Sequence, residues 1–469
     1  MVVRLFGMVC YVIGTIFTTS LFIYGPGTAL NAITSLRETY SIIIIGVIAT
    51  IYTAIGGIKA VIWTDFYQAV LMIACLIIIV AKGLYDIGGF ENVWQINLYG
   101  GRLETFDFNP DPFIRQSFWA NLIGSTFATS LFYSVDQQMV QRFLAAKNKQ
   151  TAQRALIYHM PLVFSFVTLT CFAGLVLYAN YFTCDLFSSA KVSNPNQILG
   201  YFVTNNLKDW PGISGLFLGA LFCASFSSIS STLSSLSSII WQDFCMLMPL
   251  FKKFDDSKSV KMTKLAVFIC GFLSTIIAIL IASIKGNLII LCLSFQASLV
   301  APILGVFVLG SFSRFPNKYG VVVGIVFGFA AGLFISLGSS FIQPQYPSLP
   351  TSTEFCSMTK MSSFEIYENF LKDSIIRANK LNATYLAHGH RATNVNGFEI
   401  IFSLAYLYTF LFTVSITIIF GILGSIGTKS SKVEDRFIMV DIFRVFGSKK
   451  PIESETGVKL LVDSSAQSV

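Results

Sequence analysis

The sequence predicts an all-α, multi-pass membrane protein of about ten spans. Three observations carry that expectation. Of its 469 residues, 54% are hydrophobic and only 12% are charged, against about 25% charged in soluble domains; the mean hydropathy is +0.69. The apolar residues gather in runs of about 20, long enough to cross a bilayer as helices. The basic residues gather in the polar segments between those runs, as an oriented membrane protein requires.

In order, the expected spans are residues 5–24, 40–57, 61–81, 113–132, 157–180, 214–240, 265–284, 288–309, 320–342 and 398–426. With the first span starting in the cytoplasm, Arg4, Lys59, Arg142, Lys147, Lys149, Arg154, Arg314, Lys318 and the lysines between 252 and 264 all fall on the cytoplasmic side. The tail lysines and arginines join them, so both termini of the chain are expected in the cytoplasm. The longest outside loop, 343–397, contains the sequon Asn382-Ala383-Thr384, which makes Asn382 a candidate glycosylation site. Cys184 and Cys356 fall in loops on that same side, where a disulfide can form. The other seven cysteines lie in or beside apolar runs and read as small hydrophobes.

Soluble-enzyme and nucleic-acid signals are absent. The net charge of +8 reflects membrane orientation rather than a nucleic-acid surface. The three histidines lack metal-ligand spacing on a helix, and the glycines before Lys429-Ser430 lack the adjacent Gly-Lys of a phosphate loop. No enzyme activity and no organic cofactor are expected.

The polar residues inside the spans are the informative ones. In residues 215–244, Ala224, Ser227, Ser228, Ser231, Ser234, Ser235 and Ser238 recur at steps of three and four, forming one polar stripe on a helix. Phe226, Ile229, Leu233, Leu236 and Ile240 occupy the other sides. Lipid offers a hydroxyl no partner, so the stripe faces protein or a wet cavity. Two readings stand side by side: close packing of small residues between helices, and an oxygen-lined site for a small hard cation. Asp65 lies just inside the third span with Gln68 one turn on. An intramembrane carboxylate is a functional candidate; the alternative is an interfacial aspartate at a helix start. Ile55-Gly56-Gly57-Ile58-Lys59 reads as a very tight turn between the second and third spans. The fourth span runs into Tyr133-Ser134-Val135-Asp136-Gln137-Gln138, which suggests either a broken helix lining a site or an early exit from the membrane.

The stretch YTAIGGIKAVIWTDFYQAVLM at 52–72 resembles the signature of the sodium:solute symporter family. NPDPFIRQSFW at 109–119, VDQQMVQRFLAAKN at 135–148 and the serine-rich helix agree with it, in order, between residues 4 and 427. YPSLP at 346–350 and SLAYLYTF at 403–410 are similar to the branch holding the multivitamin, monocarboxylate and iodide cotransporters.

The resemblance implies an inverted-repeat bundle of five plus five helices, and a sodium site at the Ala224 carbonyl with the Ser227 and Ser228 hydroxyls. It also ties Asp65, with Gln68 beside it, to a further sodium or proton, or to the sodium exit route. Phe132 and Tyr133 match aromatic residues that border the substrate, and Ser294, Gln296 and Ser298 are candidates for the same cavity. The position of the sugar-binding glutamine is Leu293 here, which disfavours sugars.

The expected activity is therefore sodium-coupled symport of a small organic anion, a monocarboxylate or vitamin acid, across the plasma membrane. Sodium is the co-transported ion and membrane lipid the surrounding partner. The expected division is a symporter domain at 1–428 and a cytoplasmic tail at 429–469. The first span matches the family's third core helix, so the leading helix and core helices one and two are expected to be missing from this chain. That expectation brings an alternative: a truncated, non-transporting isoform that acts as a scaffold or as a competitor of the complete carrier.

Overall fold

The computed structural model describes residues 2–426, apart from 357–390 and short breaks at 35, 104–105, 193–194, 209, 211, 250, 283–287, 314–315, 347–348, 350, 354–355 and 393. Asn382 and the 429–469 tail lie outside the described residues. What is described is helical. Among the described residues, seven helical segments are long and apolar enough to cross a membrane, or up to nine if each of two bent pairs counts as one span.

The first three expected spans form one block. Helix α1 (Val2–Thr34) is followed by α2, a helical stretch from Glu38 to Ile87. It contains two spans, Glu38–Gly56 and Trp63–Ile87. The Tyr52 hydroxyl bonds Thr64 Oγ1, although twelve residues rise about 18 Å along a straight α-helix. The helical stretch is therefore sharply bent between Tyr52 and Thr64, the interval in which the sequence places its glycine turn. A short helix α3 (Phe90–Tyr99) follows.

The fourth expected span is where the structure departs from a continuous membrane helix. Asn109, Asp111 and Phe113 donate their backbone N–H groups to the side chains of Asp107, Asn109 and Asp111. These successive Asx turns delay the helix start. Helical structure begins with a wide turn at Ala120–Gly124, where Gly124 lies against the Leu407 backbone. It continues as α4 (Ser125–Ser134) and then breaks. Asp136 leaves the helical conformation and caps a new helix, α5 (Gln137–Leu144), by accepting the Gln138 N–H at 2.9 Å.

The remaining elements are α6 (Lys149–Tyr181), α7 (Ile198–Asn206), α8 (Ile213–Ile239), α9 (Asp256–Ile281), α10 (Leu288–Leu299), α11 (Ala301–Phe312), α12 (Lys318–Ile342) and α13 (Tyr408–Leu423). The expected span 288–309 is a bent pair: α10 and α11 meet at 42° around Val300. Pro302 in the first turn of α11 cannot donate back to the preceding helix. The last expected span, 398–426, is likewise bent, with Gly397–Ser403 and Tyr408–Leu423 meeting at 103°.

The main core joins α1, the first arm of α2, α8, α9, α10, α11 and α13, through Leu21, Ile23, Ile42, Ile45, Ile229, Leu233, Leu236, Leu304 and Phe410. Small residues set the closest crossings, as in other membrane bundles. Gly46 on α2 takes Thr275 of α9, and Gly271 on α9 takes Thr50 of α2, so each glycine leaves room for the other helix's threonine. On α12, Gly320, Gly324 and Gly328, spaced by four residues, form a ridge against Thr417, Gly421 and Ser425.

Candidate functional site

The stripe on α8 is largely internal. Ser230, Ser231, Ser235 and Ser237 are buried, while Ser227, Ser228, Ser234 and Ser238 are partly exposed. The hydroxyls of Ser228, Ser230, Ser231, Ser235, Ser237 and Ser238 donate to carbonyls of their own helix. Ser228 Oγ reaches Ala224 O at 3.2 Å, and Ser231 Oγ reaches Ser227 O at 2.9 Å. A hydroxyl that has spent its proton in this way keeps lone pairs free to accept. The face is therefore an array of oxygen acceptors, the donor set that a hard cation needs.

The second arm of α2 packs against this face and brings Asp65 and Gln68 to it. Arg142 arrives from α5, and its Nη2 donates both to Asp65 Oδ2 at 2.6 Å and to Ser231 Oγ at 2.6 Å. The Ser227 side chain stands beside the Asp65 carboxylate, outside hydrogen-bond geometry. Asp65 Oδ1 and Gln68 Oε1 are consequently buried acceptors without hydrogen-bond partners. Buried unpaired acceptors are costly, and a carboxylate oxygen left so beside a serine face marks a place that can take a cation. The structure thus brings together Asp65, Ser227 and Ser231, with Gln68 one helical turn from Asp65 on α2. Ala224 lies one turn before Ser227 on α8 and Ser228 directly follows Ser227; Ala224 and Ser228 are joined to each other, Ser228 Oγ to Ala224 O, rather than to the carboxylate.

A second polar place lies at the break between α4 and α5. Phe132 and Gln296 share a narrow cleft with Thr15, Thr18, Asp136 and Gln138. Its free volume is about 20 Å³, room for a water but not for an organic solute. Tyr133 points away from this cleft, its ring edge-on to His159 of α6 at 5.7 Å. Ser298 is fully buried. Its hydroxyl is engaged with Ser294 O (2.8 Å), Gly332 O (2.8 Å) and Ser336 Oγ (2.5 Å). Ser298 therefore joins α10 to α12 instead of lining the cleft, and Ser294 contributes its carbonyl to the same junction. A serine in an apolar helix looks the same in sequence whether it faces a cavity or a neighbouring helix.

Beyond the cleft, toward the Arg4 end of the bundle, a cavity of about 560 Å³ is lined by Arg4, Tyr11, Gln137, Gln141, Ser238 and Asp243, among others. At its rim Arg4 Nε donates to Asp243 Oδ1 at 2.7 Å. Between cavity and cleft stands one buried contact. The Tyr11 hydroxyl donates to Asp136 Oδ1 at 3.1 Å and accepts the Gln137 N–H at 3.2 Å. Tyr11 lines the cavity and Asp136 lines the cleft, so this pair is the partition between them.

This combination suits an ion-coupled carrier: an oxygen-rich face on a membrane helix, a discontinuous helix beside it, and a closed cleft next to an open cavity. A sequence profile of the sodium:solute symporter family matches residues 2–328. The chain belongs to the sodium:solute symporter family. It is 30% identical to the human sodium-coupled monocarboxylate transporter 1, over 96% of this chain and 74% of that protein. It is 32% identical to the Xenopus laevis protein of the same name, over 77% of this chain but only 58% of that one. It is 28% identical to the human sodium/iodide cotransporter, over 96% of this chain and 70% of that protein. In structure it resembles a Na+-coupled sialic acid symporter, with a TM-score of 0.66 at 21% identity, covering 92% of this chain and 75% of that one. Membership of this family establishes a multi-pass membrane protein of the transporter class, not an enzyme, with sodium as the co-transported ion.

On the opposite end of the bundle from Arg4, Cys184 and Cys356 are joined in a disulfide. It ties the loop after α6 to the loop after α12, and Asp185 N–H donates to Ser352 O at 2.8 Å beside it. Burial pushes the Asp185 carboxyl up, but bonds from the Phe187 N–H and the Ser188 and Thr351 side chains outweigh it, so the group sits below its ordinary value of 3.8.

Sequence reasoning missed two residues. In the sequence Arg142 carries only a mark of membrane orientation, although it lies six residues beyond Asp136 in the polar run. Tyr11 sits in the first span with no polar pattern around it that distinguishes it from an interfacial aromatic.

Proposed function

We propose that this protein couples sodium entry to the inward movement of a small organic anion, a monocarboxylate or vitamin acid, across the plasma membrane. The observation that carries the reading is the buried, unpaired Asp65 Oδ1 beside the serine oxygens of α8, which its carboxylate meets through Ser227 and the shared Arg142; Gln68 Oε1, one turn on, is also buried and unpaired. Ala224, Ser227 and Ser228 form the start of the sodium path, and Asp65 with Gln68 its exit side. The names of the relatives support an anionic solute. The cleft of Thr15, Thr18, Phe132, Gln138 and Gln296 offers hydroxyl and amide groups for a carboxylate, but Asp136 also lines it and, among the described residues, no basic residue does, so a bound sodium has to supply the positive charge. Membrane potential then contributes about 2.3 kcal/mol per net charge per 100 mV.

Residues 1–428 form the symporter domain and 429–469 a cytoplasmic tail, with both ends of the chain in the cytoplasm. On that orientation the cavity at the Arg4 end opens inward while the solute cleft is shut, an arrangement that follows release of cargo. Asn382 is the glycan acceptor on the outer side.

The test is uptake of labelled lactate and nicotinate by cells expressing the protein, with sodium or choline outside. Sodium-dependent uptake is expected, and S227A with S228A is expected to raise the half-saturating sodium concentration about tenfold or more, the effect of losing about 1.4 kcal/mol of ion binding. Uptake whose sodium dependence is unchanged in that double variant would remove the α8 face from the mechanism.

A further inference from the structure

The proposed ion site already contains a cation, and that cation belongs to the chain. The short helix α5 carries Arg142 in its last turn and delivers it across to α2 and α8. Its Nη2 donates at 2.6 Å to Asp65 Oδ2 and at 2.6 Å to Ser231 Oγ. It takes one edge of the carboxylate and one serine oxygen, and leaves Asp65 Oδ1 and Gln68 Oε1 buried and unpaired. The site therefore has more acceptors than the guanidinium serves. Arg142 is also not rooted in the core. Its side chain is 39% exposed, against 17% for Asp65, and α5 has no buried residue in its helix. A sodium ion coordinated by the same carboxylate would stand within a few ångströms of the guanidinium. Two cations on one carboxylate repel each other, most strongly away from bulk water.

We propose that Arg142 is a tethered counter-ion: it occupies the Asp65 site when sodium has left and is displaced when sodium enters. The proposal rests on the reading of Asp65 and the serine face as part of the sodium path. It adds two consequences. The apparent sodium affinity is set by competition with an internal cation, and the emptied site never presents a bare carboxylate to the membrane interior. It also links ion occupancy to helix position. Arg142 holds α5 against α2 and α8 in the sodium-free form, and Gln137 and Gln141 of the same helix line the large cavity. Sodium entry frees that helix and its departure clamps it again.

The experiment is equilibrium binding of radiolabelled sodium to the purified 469-residue chain in lipid nanodiscs. Arg142→Ala is expected to lower the half-saturating sodium concentration about tenfold, the factor for a site that the tether leaves open about a tenth of the time. Methylguanidinium added to Arg142→Ala is expected to raise it again by taking the vacated seat, and to have no such effect on the wild-type chain. A merely structural ion pair would not give that competition. A second measurement needs no variant: phenylglyoxal modification of Arg142, read by mass spectrometry against Arg154 in the same sample, is expected to rise in sodium relative to choline.

Asp65-dependent sodium binding that is unchanged or weakened in Arg142→Ala overturns the proposal and leaves the site reading intact. Labelling of Arg142 that ignores sodium does the same, and it decides the matter should Arg142→Ala fail to fold. If Asp65→Asn, and Ser227→Ala with Ser228→Ala, both leave sodium binding unaltered, the site reading falls and the proposal falls with it.

Discussion

The partition between cleft and cavity makes a quantitative prediction. Tyr11→Phe removes one hydroxyl and leaves the ring. That hydroxyl donates to Asp136 Oδ1 at 3.1 Å and accepts the Gln137 N–H at 3.2 Å. Both Tyr11 and Asp136 are buried, at 4% and 8% exposed. A hydrogen bond to a charged group contributes about 1.5–3 kcal/mol. Losing it weakens the closed partition by about 2 kcal/mol, which multiplies the open fraction by roughly 30 at about 1.4 kcal/mol per factor of ten. The assay is the modification rate of Gln296→Cys by a positively charged methanethiosulfonate reagent, with the seven free cysteines replaced by alanine. Gln296 lines a cleft of about 20 Å³, too small to admit the reagent, so labelling reports opening. Tyr11→Phe is expected to accelerate it about 30-fold, the same factor, while Gln141→Cys on the cavity wall keeps its rate. A folded Tyr11→Phe protein whose cleft labels less than about threefold faster, well short of that factor, refutes the assignment of this contact as the partition.

Two further outcomes follow from packing and from titration. Gly271→Ala would drive a methyl group into Thr50, so it is expected to destabilise the bundle by about 1–3 kcal/mol, with partial recovery in Gly271→Ala/Thr50→Ala; thermal unfolding in detergent reads both. The Asp185 carboxyl sits below its ordinary 3.8, so its contribution to the outer loop is full above that pH and is lost as pH falls through the lower folded value. The hydrogen-exchange protection of the Cys184–Val192 segment, corrected for the intrinsic pH dependence of amide exchange, is expected to stay constant from neutral pH down to about that ordinary carboxylate value, then to fall more in the wild type than in Asp185→Asn.

Much of the fold was legible because hydrophobic length is a local property. Seven expected spans appear as continuous helices, and the polar run from Ser134 to Gln138 marks the break that the structure places at Val135–Asp136. The bends at Val300 and before Tyr408 were not read, although Pro302 stood in the sequence as a warning. The glycine ridge of α12 was visible as a four-residue spacing, yet hydropathy alone gives it no weight. The site divided in the same way. The serine stripe and Asp65 announced themselves as polar groups where lipid offers no partner. Their junction with Arg142 did not, because 77 residues separate Arg142 from Asp65 and no local pattern encodes a contact across that distance. Ser298 shows the converse error, since its polarity suggested a cavity and its partners prove to be another helix.

The position of α5 gives these contacts one mechanical sense. Asp136 caps its first turn and closes the cleft against Tyr11, while Arg142 in its last turn engages Asp65 and Ser231. Six residues of α-helix span about 9 Å, and a helix that short moves as one body. Displacing Arg142 from Asp65 therefore moves the element that carries the other end's partition. An ion site and a solute cleft need not touch to be coupled if both are held by opposite ends of one rigid segment with two resting positions. On that argument the break at Val135–Asp136 does more than expose backbone. It separates α5 from α4, so that the proposed displacement of α5 by sodium leaves in place the Ala120–Gly124 turn before α4, whose Gly124 packs against Leu407.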